Sequence, residues 1–477
     1  MAREDVCAAG RLERADALSP AERERLADEA AYGLARSRPE LSAHIVITRK
    51  QSAALVLAFI APLALAAAAP QASWHLLTAA LSITFLGGTL FRAGLSLLTV
   101  LPDNRHDATV ADALPVYTIL VPLFREAHML APLARAMLAL DYPRDKLDVK
   151  FVVEEDDAPT VDAARAVEGT GPFEVVRVPA GRPRTKPRAC NYALNFARGT
   201  FTVIYDAEDR PEHDQLRKAV AAFHALPNDI VCLQARLNFY NAQENWLTKL
   251  FALDYALWFD VLLPALDRLR VPMPLGGTSN HFRTGVLREL GGWDPFNVTE
   301  DADLGIRIAQ LRMRVAMLGS TTFEEAPNRL GVWLKQRSRW MKGYMQTWLV
   351  HTRRPFALVR RAGLGGFIAF HLFIGGSVAA ALAAPLLWLA FAISLATSQE
   401  AARELSLSSI AVGNILLTGL AIVCPLRRGW HGLAPYGLSV VVYWTIISLA
   451  AWRGLAQLIT NPFYWEKTAH GLSRQEP

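Results

Sequence analysis

The placement of long apolar runs limits this chain more than any other feature of its sequence. Ser52–Ala69 is uncharged and about as long as the hydrocarbon core of a bilayer requires. Trp74–Val100 holds a single charge, Arg92, close enough to one end for its side chain to snorkel. Three more runs close the chain: Gly365–Ala396 with Pro385 inside, Leu405–Cys424, and Pro435–Leu458 interrupted by Arg453. The long stretch between the two groups has no such run and must bury its own core in water. Arg49 and Lys50 precede the first run, and the connection Pro70–Ser73 is uncharged. The positive-inside rule therefore predicts a hairpin with both outer ends, and the following domain, in the cytosol. Arg427 and Arg428 favour a cytosolic loop between the last two runs. Three simple spans then leave the C-terminal tail on the far side, unless one run is split, re-entrant or interfacial.

Composition agrees with this division. Hydrophobic residues make up 52% of the 477, and the mean hydropathy of +0.19 is high for a wholly soluble protein. The net charge of +6 is what basic cytosolic loops supply, and no basic stripe interleaved with aromatics argues for a nucleic-acid partner. Cys7, Cys190, Cys232 and Cys424 are scattered without metal spacing or a disulfide framework, which suits a reducing compartment. Residues 1–50 are charged and polar, without the apolar core of a signal peptide. Ser19-Pro20 reads as a helix start, with Leu26, Ala30, Leu34 and Ala35 at helical spacing. That segment is either a regulatory or partner-binding helix or a solvated lead-in. The reading along the chain is a helical segment (1–50), two transmembrane helices (51–101), a soluble domain (102–326), interfacial helices (327–360), C-terminal transmembrane helices (361–460) and a tail (461–477).

Between the apolar groups, residues 115–325 read as an α/β domain. β-branched and aromatic runs at Val116–Val121, Val149–Val153, Phe173–Val176, Phe201–Tyr205 and Ile230–Leu233 predict strands. Helical patterns such as Leu130–Leu140 and Asp214–Leu226 lie between several of them, the signature of parallel β-α units. Two strands end abruptly in acid. Glu154-Glu155-Asp156-Asp157 follows the second, and Asp206, Glu208 and Asp209 follow Phe201–Tyr205. Open α/β sheets place their ligands at such ends. Carboxylates this close repel unless a cation is present, and oxygen ligands suit Mg²⁺ or Mn²⁺ held with a substrate's phosphates. The bland reading of each acidic end is a solvated turn.

The motifs together resemble the inverting glycosyltransferases of family 2, in the membrane-embedded subgroup of cellulose, chitin and hyaluronan synthases. The resemblance covers most of residues 50–470 and leaves the first fifty outside. It implies a GT-A catalytic domain with a Rossmann-like mixed sheet, inserted between transmembrane helices. Asp156 and Asp157 stand where the family's acidic pair contacts the donor's base and ribose. Lys186-Pro187-Arg188-Ala189-Cys190-Asn191 keeps the family's Lys and Asn five apart, and Lys186 would offer charge to the donor. Asp206-Ala207-Glu208 matches the metal motif, with Glu208 where the family usually has Asp. Asp206 is then the metal and donor ligand, joined by Glu208 or Asp209. Thr299-Glu300-Asp301 matches the triplet whose Asp is the general base. An inverting transfer needs one base to deprotonate the acceptor hydroxyl and no enzyme nucleophile. Trp293, in the preceding Gly291-Gly292-Trp293-Asp294, is the expected acceptor wall.

Gln336-Arg337-Ser338-Arg339-Trp340 carries the Gln-x-x-Arg-Trp pattern, in which Gln336 and Arg339 meet the diphosphate and Trp340 stacks on the acceptor sugar. In this reading Arg329, Lys335, Arg337 and Lys342 face lipid. Phe463–Gly471 also occurs in related membrane transferases and reads here as an aromatic interfacial belt. The resemblance implies a metal-dependent hexosyltransferase of the bacterial inner membrane. It would use a nucleotide-diphosphate sugar, in the first instance a UDP-sugar, to extend a polysaccharide processively, with export through its own helices or with envelope subunits. The alternatives are transfer of one sugar to a lipid carrier, and a non-catalytic binding or assembly component of a secretion system.

Overall fold

The computed structural model describes residues 18–99, 113–466 and 473. The chain divides into two units, one drawn from residues 1–44, 104–240 and 272–325, the other from 45–103, 241–271 and 326–477. Segment 241–271 thus groups with the apolar helices rather than with the surrounding α/β domain.

The first unit is built on an eight-stranded sheet of β1 (Tyr117–Leu123), β2 (Leu147–Glu154), β3 (Phe173–Val178), β4 (Phe201–Ile204), β5 (Arg210–Pro211), β6 (Ile230–Phe239), β7 (Asn280–Arg283) and β8 (Arg314–Glu324). The strand order is β3-β2-β1-β4-β7-β6-β8-β5. The pairs β1/β2, β1/β4, β2/β3 and β6/β8 are parallel, whereas β7 runs antiparallel between β4 and β6. The sheet is therefore mixed. β7 escapes a periodicity search because it is four residues long and reads Asn-His-Phe-Arg, with no apolar alternation.

β7 is held by a polar core instead. His281 Nδ1 and the Tyr117 hydroxyl are 2.7 Å apart, and His281 Nε2 is 3.2 Å from Gln215 Oε1. The Tyr205 hydroxyl donates to the same Gln215 oxygen at 2.8 Å. Burial pushes the His281 imidazole down to about 3, so the ring is neutral at ordinary pH. Gln215 Oε1 can only accept, which assigns the proton to Nε2 and leaves Nδ1 to accept from Tyr117. Tyr205 immediately precedes Asp206, so this network anchors the end of β4.

Helix Glu300–Gln310 follows the Thr299 turn and is fixed from two sides. Arg307 and Asp303 form a fully buried pair at 3.3 Å, and Arg307 Nη1 donates to the Leu290 carbonyl at 3.0 Å. On the opposite side, Gly305 lies so close to Met273–Leu275 that an added Cβ would overlap the Met273 carbonyl oxygen.

The second unit is helical. Among the described residues, five of its helices are long and apolar enough to cross a membrane: Arg49–Ala68, Pro70–Leu98, Pro355–Ala396, Glu400–Leu426 and Ala434–Thr460. Within Pro355–Ala396, Gly363 leaves helical geometry at φ +74°, and residues 371–375 form a π turn. Helix Pro70–Leu98 packs through Phe85 against Leu387 and Ile410. Arg92 does not snorkel: it is 7% exposed, donates to Ser377 Oγ at 2.9 Å and stacks 4.7 Å over the Trp444 ring. A guanidinium in an apolar segment is tolerated when partners face it inside the bundle. Helix Arg49–Ala68 has no buried residue at all.

Gly305→Ala is expected to lower the unfolding free energy by about 1–3 kcal/mol through overpacking against the 273–275 backbone. Thermal unfolding in detergent measures it, with Gly319→Ala, which meets nothing within 4 Å, as the neutral reference.

Candidate functional site

The acidic end of β4 gathers its partners from four parts of the first unit. Lys186, opening helix Lys186–Leu194, donates to Asp206 Oδ1 at 2.5 Å and to the Gly277 carbonyl at 2.9 Å. Burial alone would push the Lys186 ammonium down, but the charges of Asp206 and Glu300 outweigh it and hold the group above its ordinary value. Asp209 lies underneath, 2% exposed. Its Oδ2 accepts the Asp206 N–H at 2.7 Å and the Thr278 hydroxyl, while its Oδ1 has no hydrogen-bond partner among the described residues. Thr278 also donates to the Ile204 carbonyl at 3.1 Å, so the Gly276–Thr278 turn is tied to β4.

Burial, then the Asp206 and Glu208 charges, push the Asp209 carboxyl well above its ordinary range. Glu324, at the end of β8, is raised in the same way by burial and by Asp209, Glu208 and Asp206, with Lys186 opposing. Sequence reading did not single out Glu324. The signal available for it was an eleven-residue β-rich run, Arg314–Glu324, that ends in acid as β2 and β4 do.

This donor set can be compared with what a hard divalent cation needs. Carboxylates that raise one another, and an orphaned buried oxygen on Asp209, are relieved by such an ion. Among the described residues no three His, Cys, Asp or Glu side chains converge into a ready-made metal cage. The arrangement therefore fits an ion bound through one or two carboxylates and completed by a ligand's phosphates, as Mg²⁺ is commonly held.

Thr299, Glu300 and Asp301 stand at the start of helix Glu300–Gln310, where the helix dipole favours anions. A Cβ added to Gly277 would lie 3.4 Å from Asp301 Oδ2, so the Lys186-bound turn and Asp301 are adjacent. Asp301 Oδ1 accepts the Ala302 N–H at 2.7 Å. Glu300 is buried at 6% exposure.

The second acidic end divides its carboxylates among separate tasks. Asp156 pairs with Arg184, and Arg184 stacks 5.7 Å over Phe124. Asp157 is 7% exposed and accepts the backbone N–H of Arg125, which sits at φ +57°. Asp157 thus braces a loop through one of its carboxylate oxygens. Glu154 lies 3.5 Å from Arg188, and burial pushes it up to about 7 despite Arg188 and Arg184. Trp293 is 2% exposed and packs edge-on against Phe282 at 5.8 Å. It is a core residue and presents no face to an acceptor.

Gln336, Arg339 and Trp340 belong to the second unit, on helix Leu330–His351. Trp340 lies in an aromatic group with Phe251 and Tyr255 at 5.9 and 6.2 Å. Gln336 is 8% exposed, and its Oε1 has no hydrogen-bond partner among the described residues. Two residues expected to face lipid do not: Arg337 is buried against Asp254 and Tyr443, and Lys342 is fully buried. Arg329 and Lys335 are exposed. Lys342 donates to the Tyr464 carbonyl at 2.7 Å, Gln346 to the Pro462 carbonyl at 3.0 Å, and Arg339 lies 4.5 Å over Trp465. Arg453 closes the contact through a bidentate bond to Glu466 at 2.8 and 2.9 Å. The aromatic stretch after the last helix is therefore strapped to the Gln-x-x-Arg-Trp helix and is more than an interfacial belt. Residues 467–471 of that stretch lie outside the described residues.

Residues 115–343 match the family model "Glycosyltransferase like family 2". The chain is 25% identical over 300 residues to the probable glycosyltransferase YdaM of Bacillus subtilis, covering 58% of this chain and 71% of that protein. It is 28% identical over 275 residues to the β-monoglucosyldiacylglycerol synthase of Trichormus variabilis, covering 56% and 57% respectively. The match thus spans a little over half the length of that synthase. Among solved structures, the mannosyltransferase PcManGT from Pyrobaculum calidifontis, in complex with GDP-Man and Mn²⁺, superposes with a TM-score of 0.56 at 21% identity, over 81% of this chain and 99% of that one.

The chain carries a glycosyltransferase family 2-like domain. Its mixed sheet has the GT-A-like fold, and long apolar helices precede and follow it in sequence.

Glu154 provides a test of the site's electrostatics. The folded chain holds its proton to about pH 7, whereas the unfolded chain releases it near 4.5. Between those values the native state binds more protons, so this group makes stability fall as pH rises. Stability curves of wild type and Glu154→Gln from pH 4.5 to 7.5 should shift relative to one another in the mutant's favour by about 3 kcal/mol. Parallel curves would show that Glu154 does not titrate late.

Proposed function

We propose that this protein is a membrane-bound, inverting, metal-dependent glycosyltransferase. It moves a hexose from a nucleotide-diphosphate sugar, in the first instance a UDP-sugar, to a growing polysaccharide. The observation that carries the reading is the meeting of Lys186, Asp206 and the Gly277 turn beside Asp301. Anionic diphosphate needs a cation and a Gly-lined approach, and an acceptor hydroxyl needs a base within reach.

In this reading Asp156, Asp157, Lys186 and Asp206 bind the donor, and Asp157 acts chiefly by holding the Arg125 loop. Asp206 and Glu208, with Asp209 behind them, would hold Mg²⁺ or Mn²⁺, which supplies charge stabilisation to the departing diphosphate. Lys186 exchanges its bond with Asp206 for one with phosphate oxygen. Asp301 takes the proton from the acceptor hydroxyl as that oxygen attacks the anomeric carbon opposite the leaving diphosphate. Glu300 and Thr299 shape the helix start that presents Asp301. Gln336, Arg339 and Trp340 are assigned to diphosphate and acceptor on the sequence motif alone. Five apolar helices support membrane residence, and the basic residues beside them support a cytosolic catalytic domain in a bacterial inner membrane.

A second reading, transfer of a single sugar to a lipid acceptor, is favoured by the likeness to a β-monoglucosyldiacylglycerol synthase. Both are tested by radiolabel incorporation in nanodiscs, with Mg²⁺ or Mn²⁺ and a panel of UDP- and GDP-sugars. Asp301→Asn should lower turnover by about 10²-fold or more, and chelation should abolish it. Trp340→Ala should shorten a polymer product while sparing addition to a lipid. A large metal-dependent product supports polysaccharide synthesis, and a small lipid-extractable one supports the second reading. Undiminished turnover in Asp301→Asn would remove that residue from the mechanism.

A further inference from the structure

The N-terminal helix Pro20–Ser37 and the turn after it do not behave as a solvated lead-in. Leu26, Ala27, Ala30, Ala31, Leu34, Leu41 and Ala43 are all buried within the first unit. What they cover are two segments distant in sequence, one opening with Lys186 and the other leading into Asp301.

One segment is helix Lys186–Leu194. The Ala30 carbonyl accepts a hydrogen bond from Asn191 Nδ2 at 3.1 Å. At the start of the N-terminal helix, Arg23 pairs with Glu155 at 3.0 Å, and Glu155 also accepts the Ala180 N–H at 2.7 Å. The other segment is 289–297, which leads into Thr299–Asp301. Arg38 donates to the Glu289 carbonyl at 3.2 Å, and Leu34 rests on Gly291, at 3.4 Å from an added Cβ. Asp294 accepts the Ala43 N–H at 2.5 Å and the Ser42 hydroxyl at 3.2 Å. Tyr32 and His44 pack on the Phe296 ring at 5.6 and 4.6 Å.

Asn191 joins the two segments directly. Its Nδ2 also donates to the Trp293 carbonyl at 2.8 Å, and its Oδ1 accepts the Trp293 N–H at 2.9 Å. Gly292, at φ +63°, makes this possible, since a Cβ there would overlap Asn191 Oδ1. One amide side chain thus reads three backbone groups, and one of the three belongs to the N-terminal helix. The segment sits over the seam between the element that presents Lys186 and the loop that delivers Asp301.

We propose that residues 18–44 are a positioning clamp. By docking over the Asn191–Trp293 seam they hold the Lys186 helix and the Thr299–Asp301 turn in register with one another. Lys186 and Asp301 act in transfer only under the function proposed above, so the clamp's role in catalysis rests on that reading. Its role in ordering the two segments does not. The residues of the clamp are positioning residues, since none touches the Asp206 cluster in any contact described above. Whatever displaces this segment from its seat loosens both halves of the site together, which makes it a natural point for control of activity.

The test is amide hydrogen exchange on the full chain in nanodiscs, without donor, for wild type, Leu34→Asp and the conservative Leu34→Met. In Leu34→Asp, residues 20–37 should lose protection together with 186–194 and 291–301, by about tenfold or more, while β1 and β4 keep theirs. Leu34→Met should exchange as wild type does. If the chain with Leu34→Asp fails to fold, Arg23→Ala combined with Ser42→Ala removes two polar anchors at the two ends of the segment and should give the same pattern in weaker form. Loss of protection at 20–37 with unchanged exchange at 186–194 and 291–301 would overturn the proposal. Where transfer is measurable, the clamp variants should lower kcat per folded molecule, which a purely stabilising segment would leave unchanged. Absence of transfer in wild type counts against the proposed function, whereas the exchange pattern decides the clamp independently.

Discussion

Carboxylates crowded at the end of a strand repel one another, and taking them partly out of water makes each charge harder to keep. Asp206, Glu208, Asp209 and Glu324 stand in that position here, and Lys186 is the cation the chain sets against them. Much of the first unit serves to bring that one ammonium to its place. The helix that starts at Lys186 is seated by Asn191, and the Gly277 carbonyl gives the ammonium its second bond. Asp209 gives its hydrogen bonds to shaping the Asp206 turn. One lysine cannot neutralise four acids. The negative charge at this end of the sheet suits a divalent cation, which under the proposed function would carry the donor's phosphates.

The parallel strands are legible in the sequence because they are buried on both faces and so read as unbroken β-branched runs. Phe201–Tyr205 and Val149–Val153 need no context to be recognised. β7 is invisible by the same rule. Its stability comes from His281 meeting Tyr117 and Gln215, partners contributed by residues far away in the chain. The strand end at Glu324 is hidden for a related reason: its significance appears only once β8 lies in the sheet and its terminal acid joins the others. Arg92 and Arg337 show the limit of reading charge beside apolar runs. Both look like surface cations in sequence, and both are buried with specific partners that hydropathy does not encode.

The N-terminal helix illustrates a further limit. Its periodicity, capped by the reciprocal Ser19–Glu22 box, identifies a helix with one apolar face. Periodicity does not say what that face covers. The partner surface is assembled from helix Lys186–Leu194 and loop 289–297, which adjoin only in the folded domain. The aromatic stretch Phe463–Glu466 is similar. Its composition suggests a headgroup belt, but Lys342 takes its Tyr464 carbonyl and Gln346 that of the preceding Pro462, so its place follows from hydrogen bonds that composition cannot report.

The antiparallel strand β7 bears on how the domain comes into being. It wedges between β4 and β6, so the sheet's first four neighbours, β3-β2-β1-β4, can be laid down by the time the ribosome has passed Ile204. The acids that follow β4 leave the ribosome well before Gly277, Thr278 and Glu324. Until then Lys186 lacks its carbonyl partner and Asp209 its hydroxyl. A chain halted midway would own the conspicuous acidic signature but not the groups that meet it. The half-made sheet presents bare charge, and the partners of Lys186 and Asp209 arrive with the turn that leads into the strand running the other way.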